Sequence, residues 1–150
     1  MPKISEKARV MPASPIRKLV PYAEEAKRQG RKVYHLDIGQ PDIHTPVASL
    51  DALKKMDLKV IEYTHSAGNE SYRRKLADNY RKYGVNITHE QIIVTTGGSE
   101  AVLFAFMACL NPGEEVITFE PFYANYNGFA TAAGVTIVPV RTYIENDFAL

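Results

Sequence analysis

Gly97, Gly98 and Ser99 are the residues of this chain whose types and order suit chemistry at an anion. They follow the β-like run Ile92-Ile93-Val94-Thr95 and open a stretch from Ser99 to Leu110 that fits a buried helix. Two missing side chains let the backbone turn tightly and approach a ligand closely, and the first helix amides and the Ser99 hydroxyl can then bind phosphate oxygens. Glu100 fits the same first turn, with its carboxylate directed away from any phosphate. The glycine pair alone reads as a plain tight turn or as an anion site, the turn being the weightier reading. The spacing matches neither Gly-x-x-x-x-Gly-Lys-Ser/Thr nor Gly-x-Gly-x-x-Gly, which disfavours a nucleoside-triphosphate loop and a dinucleotide site. Gly39 is a small residue at a strand exit, reading as a close-approach point or a plain turn. Tyr63 offers a phenol donor or a packed aromatic, and Tyr123 offers a flat apolar face.

The elements that must hold these residues alternate. Ser14-Pro15 starts a helix that Pro21 kinks or restarts and that runs to Gln29, with Gly30 as its stop. Val33 to Ile38 is a short strand ended by Gly39-Gln40-Pro41-Asp42. Thr45-Pro46 opens a helix from Val47 to about Lys59. Asn69 caps a helix carrying Tyr72, Leu76, Tyr80 and Tyr83 at near-helical spacing, read as packing residues; Gly84 suits its exit. Thr88 and Gln91 resemble a small capping box. After the strand at Ile92–Thr95 and the helix from Ser99, Asn111-Pro112-Gly113 is a break. A strand at Val116–Phe119, a helix at Tyr123–Ala133 and a strand at Val135–Val140 complete a β-turn-α-β-α-β order, which calls for a parallel α/β sheet in one layered domain.

Composition narrows the function classes. A chain of 150 residues is long enough to bury a core. A net charge of +1 argues against a broad nucleic-acid surface, and Lys27, Arg28, Arg31 and Lys32 read as a solvated helix end. Lys54, Lys55 and Lys59 read as a solvated helix face. The single Cys109 lies in an apolar run and reads as a core residue, and such sparse cysteine use fits the cytoplasm. His35, His44 and His89 lack metal-ligand spacing, so no metal is expected. No long apolar segment follows Met1–Lys7, arguing against a signal peptide, and none later suits a bilayer span. The C-terminus at Asp147-Phe148-Ala149-Leu150 lacks an obvious closing element, which reads as a natural end or as a cut chain.

An ordered set of short motifs adds a resemblance. Gly39-Gln40-Pro41-Asp42, Tyr63-Thr64-His65-Ser66-Ala67-Gly68, Thr95-Thr96-Gly97-Gly98-Ser99-Glu100-Ala101, Asn111-Pro112-Gly113-Glu114-Glu115-Val116 and Pro121-Phe122-Tyr123-Ala124-Asn125-Tyr126 together resemble class I/II, fold-type I aminotransferases, which use pyridoxal phosphate. The resemblance implies an N-terminal arm and small-domain segment over residues 1–45. It implies the start of a mostly parallel α/β large domain over 46–150, apparently truncated. It aligns Gly39 with a glycine near the substrate carboxylate, and Tyr63 with a tyrosine that reaches the cofactor phosphate of a neighbouring subunit. Gly98, Ser99 and Glu100 align with the phosphate cup, the bonds coming first from the Ser99 and Glu100 amides and then from the Ser99 hydroxyl. Tyr123 aligns with the aromatic that stacks on the pyridine ring, where many relatives carry tryptophan. Tyr126 reads as structural, and His65 and Asn69 border the pocket approach without a firm role.

What this implies is amino-group transfer between an amino acid and a 2-oxo acid, aspartate with 2-oxoglutarate being slightly favoured, in a cytoplasmic homodimer with a shared active site. The Schiff-base lysine, the acid paired with the pyridine nitrogen and the arginine for the substrate carboxylate are expected beyond residue 150, leaving the 150-residue chain inactive by itself. A carbon–sulfur lyase or synthase of the same fold type and a noncatalytic regulatory or interaction domain are the alternatives.

Overall fold

A computed structural model describes residues 3–150 of the chain. Met1 and Pro2, part of the stretch read against a signal peptide, lie outside the described residues. The helices and strands in order are α1 (Glu6–Val10), α2 (Val20–Arg28), α3 (Val47–Lys54), α4 (Glu70–Arg81), α5 (Gly98–Cys109), β1 (Glu115–Glu120), α6 (Tyr126–Ala133) and β2 (Thr136–Arg141). Among the described residues no helix is long and apolar enough to cross a membrane.

Local chemistry explains most of the boundaries. Ser5 caps α1, its hydroxyl accepting the Ala8 N–H at 3.1 Å. Ser14 accepts the Arg17 N–H at the start of a 3-10 turn that leads into α2. Gly30 ends α2 in a left-handed conformation, with the Gly30 and Arg31 amides turned back to the Lys27 and Ala26 carbonyls. α3 stops at Lys54 rather than reaching Lys59. Leu58, Val60 and Ile61 beyond it are exposed, so no packing sustains a further turn. Asn69 caps α4 by accepting the Tyr72 N–H, and the Thr88–Gln91 capping box forms around a single 3-10 turn.

Contacts divide the chain into two compact units. One joins the segment ending at Ile38 to Thr96–Leu150, and the other is Gly39–Thr95. In the first, β1 and β2 pair in parallel with Val116 opposite Ile137 and Phe119 opposite Val140, and α6 makes the crossover between them. α5 packs against α6, and a cavity lined by Val102 and Phe106 of α5, Val116 and Thr118 of β1, Tyr126 and Ile137 separates the helices from one sheet face. That is the α/β arrangement the residue pattern called for. The sheet has two strands, however. The strands expected at Ile92–Thr95 and Val33–Ile38 are not formed, because a strand requires a hydrogen-bonded neighbour and neither segment pairs with one among the described residues. The Val94 N–H bonds instead to the Ala67 carbonyl at 3.0 Å.

Burial is sparse. Among the described residues the buried apolar side chains are Ala77, Ile92, Ala130 and Val135, too few for the core that the chain length allows. Ile117, Phe119 and Val140 form an exposed sheet face, although parallel strands carry apolar residues on both faces. Cys109 is exposed, not a core residue. α5 is apolar nearly all round, and its half-buried apolar positions are Val102, Leu103 and Phe106, with Cys109 on the last turn outside them. On α4 the inward positions are Arg73 and Ala77 with Leu76 half-buried, while Tyr72, Tyr80 and the following Tyr83 are exposed. The helix packs there against the His89–Gln91 turn, where a small alanine and an arginine stem fit better than aromatic rings.

Candidate functional site

The start of α5 is built around one unusual backbone position. Gly97 has φ 89° and ψ 174°, a region open essentially to glycine alone, so the chain reverses into the helix without a side chain in the way. The first α-helical bond runs from the Ala101 N–H to the Gly97 carbonyl at 3.4 Å. The amides of Gly98, Ser99 and Glu100 therefore have no acceptor within the helix and project from its positive end. A Cβ on Gly98 would meet nothing within 4 Å, so the space beside these amides is open. Ser99 is exposed, its hydroxyl on the same turn. The Glu100 carboxylate bends back and accepts the Thr96 N–H at 2.6 Å, so its charge is fixed on the backbone preceding the turn. Open amides, an exposed hydroxyl and a glycine entry are donors that can bind an oxyanion such as a phosphate monoester.

Tyr123 stands in the loop beyond the C-terminal end of β1, the edge of a parallel sheet at which ligands gather. It is 48% exposed, and its ring packs edge-on against Tyr126 with centroids 5.7 Å apart. Phe122 stacks on Tyr126 at 6.1 Å, and Tyr126 also lines the cavity between α5 and the sheet, which makes Tyr126 a packing residue. The Asn125 side-chain amide donates to the Tyr123 hydroxyl at 2.7 Å. One aromatic face is thus presented on a propped ring, available to a flat partner.

Gly39 and Tyr63 belong to the other unit. Gly39 is exposed and a Cβ there would meet nothing within 4 Å, so no neighbour in the chain demands glycine. Tyr63 is fully exposed, which removes the packed-aromatic reading within this chain and leaves its phenol able to reach another molecule. The loop that follows is tightly held. The Gly68 N–H donates to the His65 carbonyl at 2.7 Å, and the Ala67 N–H donates to His65 Nδ1 at 3.1 Å. A Cβ on Gly68 would sit 2.6 Å from the Val94 Cβ, so the glycine lets two backbone segments touch. His65 serves this turn, and Asn69 caps α4.

Arg73 is the residue that sequence reasoning missed. It is 6% exposed, and its guanidinium donates to the Gly68 carbonyl at 3.1 Å and the His89 carbonyl at 2.7 Å. Its spacing four residues before Ala77 was the available signal, since both lie on one helix face. Its acceptors are backbone carbonyls, which no side-chain pattern reveals. Among the described residues no cluster of three metal-ligating side chains occurs. Lys27 and Arg28 pair with Glu24 and Glu25 on an exposed helix end, and Lys54 pairs with Asp51 in the same way.

Comparison with known proteins places these features in context. The family model described as aminotransferase class I and II matches residues 31–150. The aspartate/prephenate aminotransferase of Thermus thermophilus is 35% identical over 128 residues, covering 84% of this chain and 33% of that protein. The crystal structure of the aspartate aminotransferase from Thermotoga maritima superposes with a TM-score of 0.86 at 31% identity, covering 97% of this chain and 39% of the other. The alanine aminotransferase of Pyrococcus furiosus gives a TM-score of 0.84 at 32% identity, over 97% and 38%. The chain thus spans between a third and two fifths of the length of these relatives.

Proposed function

We propose, since this chain belongs to the aminotransferase class I and II family, that the full-length protein carrying it transfers an amino group between an amino acid and a 2-oxo acid. The observation that carries the reading is the start of α5, where three amides lack helix acceptors, the Ser99 hydroxyl is exposed and the space beside Gly98 is open. This donor set fits the phosphate of pyridoxal phosphate. The Ser99 and Glu100 amides and the Ser99 hydroxyl hold the phosphate oxygens, and Gly98 leaves room for them. The exposed face of Tyr123 packs on the pyridine ring and limits its tilt. When bound, the cofactor supplies an electron sink for the bond broken at the substrate α carbon.

The protein is a homodimer in this reading. The complete exposure of Tyr63 supports its phenol donating to the phosphate held by the neighbouring subunit, and Gly39 gives the substrate carboxylate a close approach to backbone. Residues 1–45 form the arm and small-domain segment, and 46–150 open the cofactor-binding domain. The lysine that joins the cofactor, the acid at the pyridine nitrogen and the arginine for the substrate carboxylate come from chain beyond Leu150, and the protein works in the cytoplasm. The similar proteins described above bear aspartate, aspartate/prephenate and alanine aminotransferase names, which supports amino transfer over carbon–sulfur lysis or a noncatalytic role.

The test supplies the full-length protein with pyridoxal phosphate, 2-oxoglutarate and each of a panel of amino acids. Formation of glutamate in step with the matching oxo acid, with aspartate among the donors, is expected. Release of sulfide, ammonia or pyruvate from cysteine or cystathionine without glutamate would move the reading to lyase chemistry.

A further inference from the structure

We infer that Asn125 is a positioning residue for Tyr123, setting the rotation of its ring and the direction in which its phenol donates. The inference rests on the reading of Tyr123 as the ring-facing aromatic and deepens it. Asn125 occupies the N-cap of α6 with helical φ −70° and ψ −14°, not the extended backbone from which a side chain caps, and its side chain makes no cap bond. It donates instead to the Tyr123 hydroxyl at 2.7 Å. A side chain not engaged in capping thus ties down the tip of a neighbouring ring.

The ring is then held at two points. Tyr126 meets it edge-on at 88° with centroids 5.7 Å apart, and Asn125 grips the hydroxyl. Rotation about the ring axis or a swing of the whole side chain breaks one contact or the other. A phenol has one proton to donate and lone pairs to accept with. Asn125 fills the acceptor side, so the O–H remains a donor, and it donates to no group among the described residues. Tyr123 is half-exposed, so that proton is available to an oxygen acceptor on whatever packs against the ring.

The test uses the full-length protein and the variants Asn125→Ala, Asn125→Asp, Tyr123→Phe, Tyr123→Leu and the double variant Asn125→Ala/Tyr123→Phe. The readouts are the affinity of the apo protein for pyridoxal phosphate, the visible circular dichroism of the bound cofactor, and the split between kcat and KM. Thermal melting of each apo protein reports folding separately. Asn125→Ala is expected to weaken cofactor binding about three- to tenfold, the loss of one hydrogen bond, and to change the visible dichroism. The double variant is expected to be no worse than Tyr123→Phe alone, because Asn125 acts through the phenol. Asn125→Asp, which can only accept, draws the phenol proton to itself and should match or exceed the alanine loss. Equal Asn125→Ala effects with and without the Tyr123 hydroxyl would overturn the inference. So would unchanged affinity and dichroism in Asn125→Ala when Tyr123→Leu alters both. Unchanged values in Tyr123→Leu as well would overturn the ring-facing reading itself, a separate result.

Discussion

The Glu100 carboxylate accepts the Thr96 N–H at 2.6 Å, bridging across Gly97 and Gly98 from the first turn of α5 to the residue before the turn. A carboxylate placed beside an anion site would repel its ligand. Held on the Thr96 amide, it becomes a brace that fixes the Gly97–Gly98 backbone while the Gly98, Ser99 and Glu100 amides stay open. Replacing Glu100 with alanine should free that amide, loosen the turn and weaken cofactor binding by about tenfold, or roughly 1.4 kcal/mol. Glu100→Gln keeps an oxygen acceptor and should recover most of the loss. Titration of the full-length apo protein with pyridoxal phosphate checks this, and equal affinity in the alanine variant would rule out the brace.

Ser99 contributes a backbone amide and a side-chain hydroxyl to the same turn, and only the hydroxyl is removed by alanine. Ser99→Ala should therefore reduce cofactor affinity by a factor of about 10–100, the scale of one hydrogen bond to a charged group, with the fold intact. Unchanged affinity for pyridoxal phosphate would leave the amides as the phosphate donors and remove the hydroxyl from the site.

Arg73 holds the turn at Gly68 to the turn at His89 through two carbonyl acceptors. Arg73→Ala leaves both carbonyls without this donor and empties space beside Ala77, which should cost about 2 kcal/mol of stability. Arg73→Lys should recover only part of it, since an ammonium cannot span two acceptors as a planar fork does. Denaturant unfolding measures the loss, and hydrogen exchange at the Gly68 amide should speed up in step. An unchanged unfolding midpoint with unchanged exchange would contradict the clamp.

Much of the first unit was readable because its breaks are local. Gly97-Gly98 starts α5, Asn111-Pro112-Gly113 ends it, and Gly134 closes α6 in a left-handed conformation. Strand pairing at Ile92–Thr95 was not readable, because a β-like run specifies a conformation and says nothing of a neighbour. The tyrosines of α4 misled for a related reason: their spacing marks a stripe, and burial depends on what packs there. Arg73 acts on two backbone carbonyls and Asn125 on a phenol two residues away, contacts that residue type alone does not announce. Of the candidate site, the tight turn into α5 was legible from two glycines before a helix, and its Glu100 brace was not.

Glu114 gives a pH-dependent marker for the α5–β1 turn. Its carboxylate accepts the Asn111 N–H at 2.6 Å, and that bond, with the Asn111 side-chain amide, holds its pKa below the ordinary glutamate value. A lowered folded pKa adds stability that is complete above the ordinary value and is lost as pH falls through the folded one. Glu114→Gln should therefore flatten the acid side of the stability profile slightly, the group being exposed. Carboxyl NMR titration checks the direction, and a Glu114 pKa above the ordinary value would contradict it.

The most direct test of the central claim is the visible absorption spectrum of the full-length protein with pyridoxal phosphate, recorded before and after aspartate and then after 2-oxoglutarate. An aminotransferase whose cofactor phosphate sits at the start of α5 should show a protein-bound cofactor band that aspartate converts and 2-oxoglutarate restores, and Gly97→Ala, strained at its φ of 89°, should weaken that binding. A folded full-length protein with no bound cofactor band, or with a band that Gly97→Ala leaves at full affinity, would contradict it.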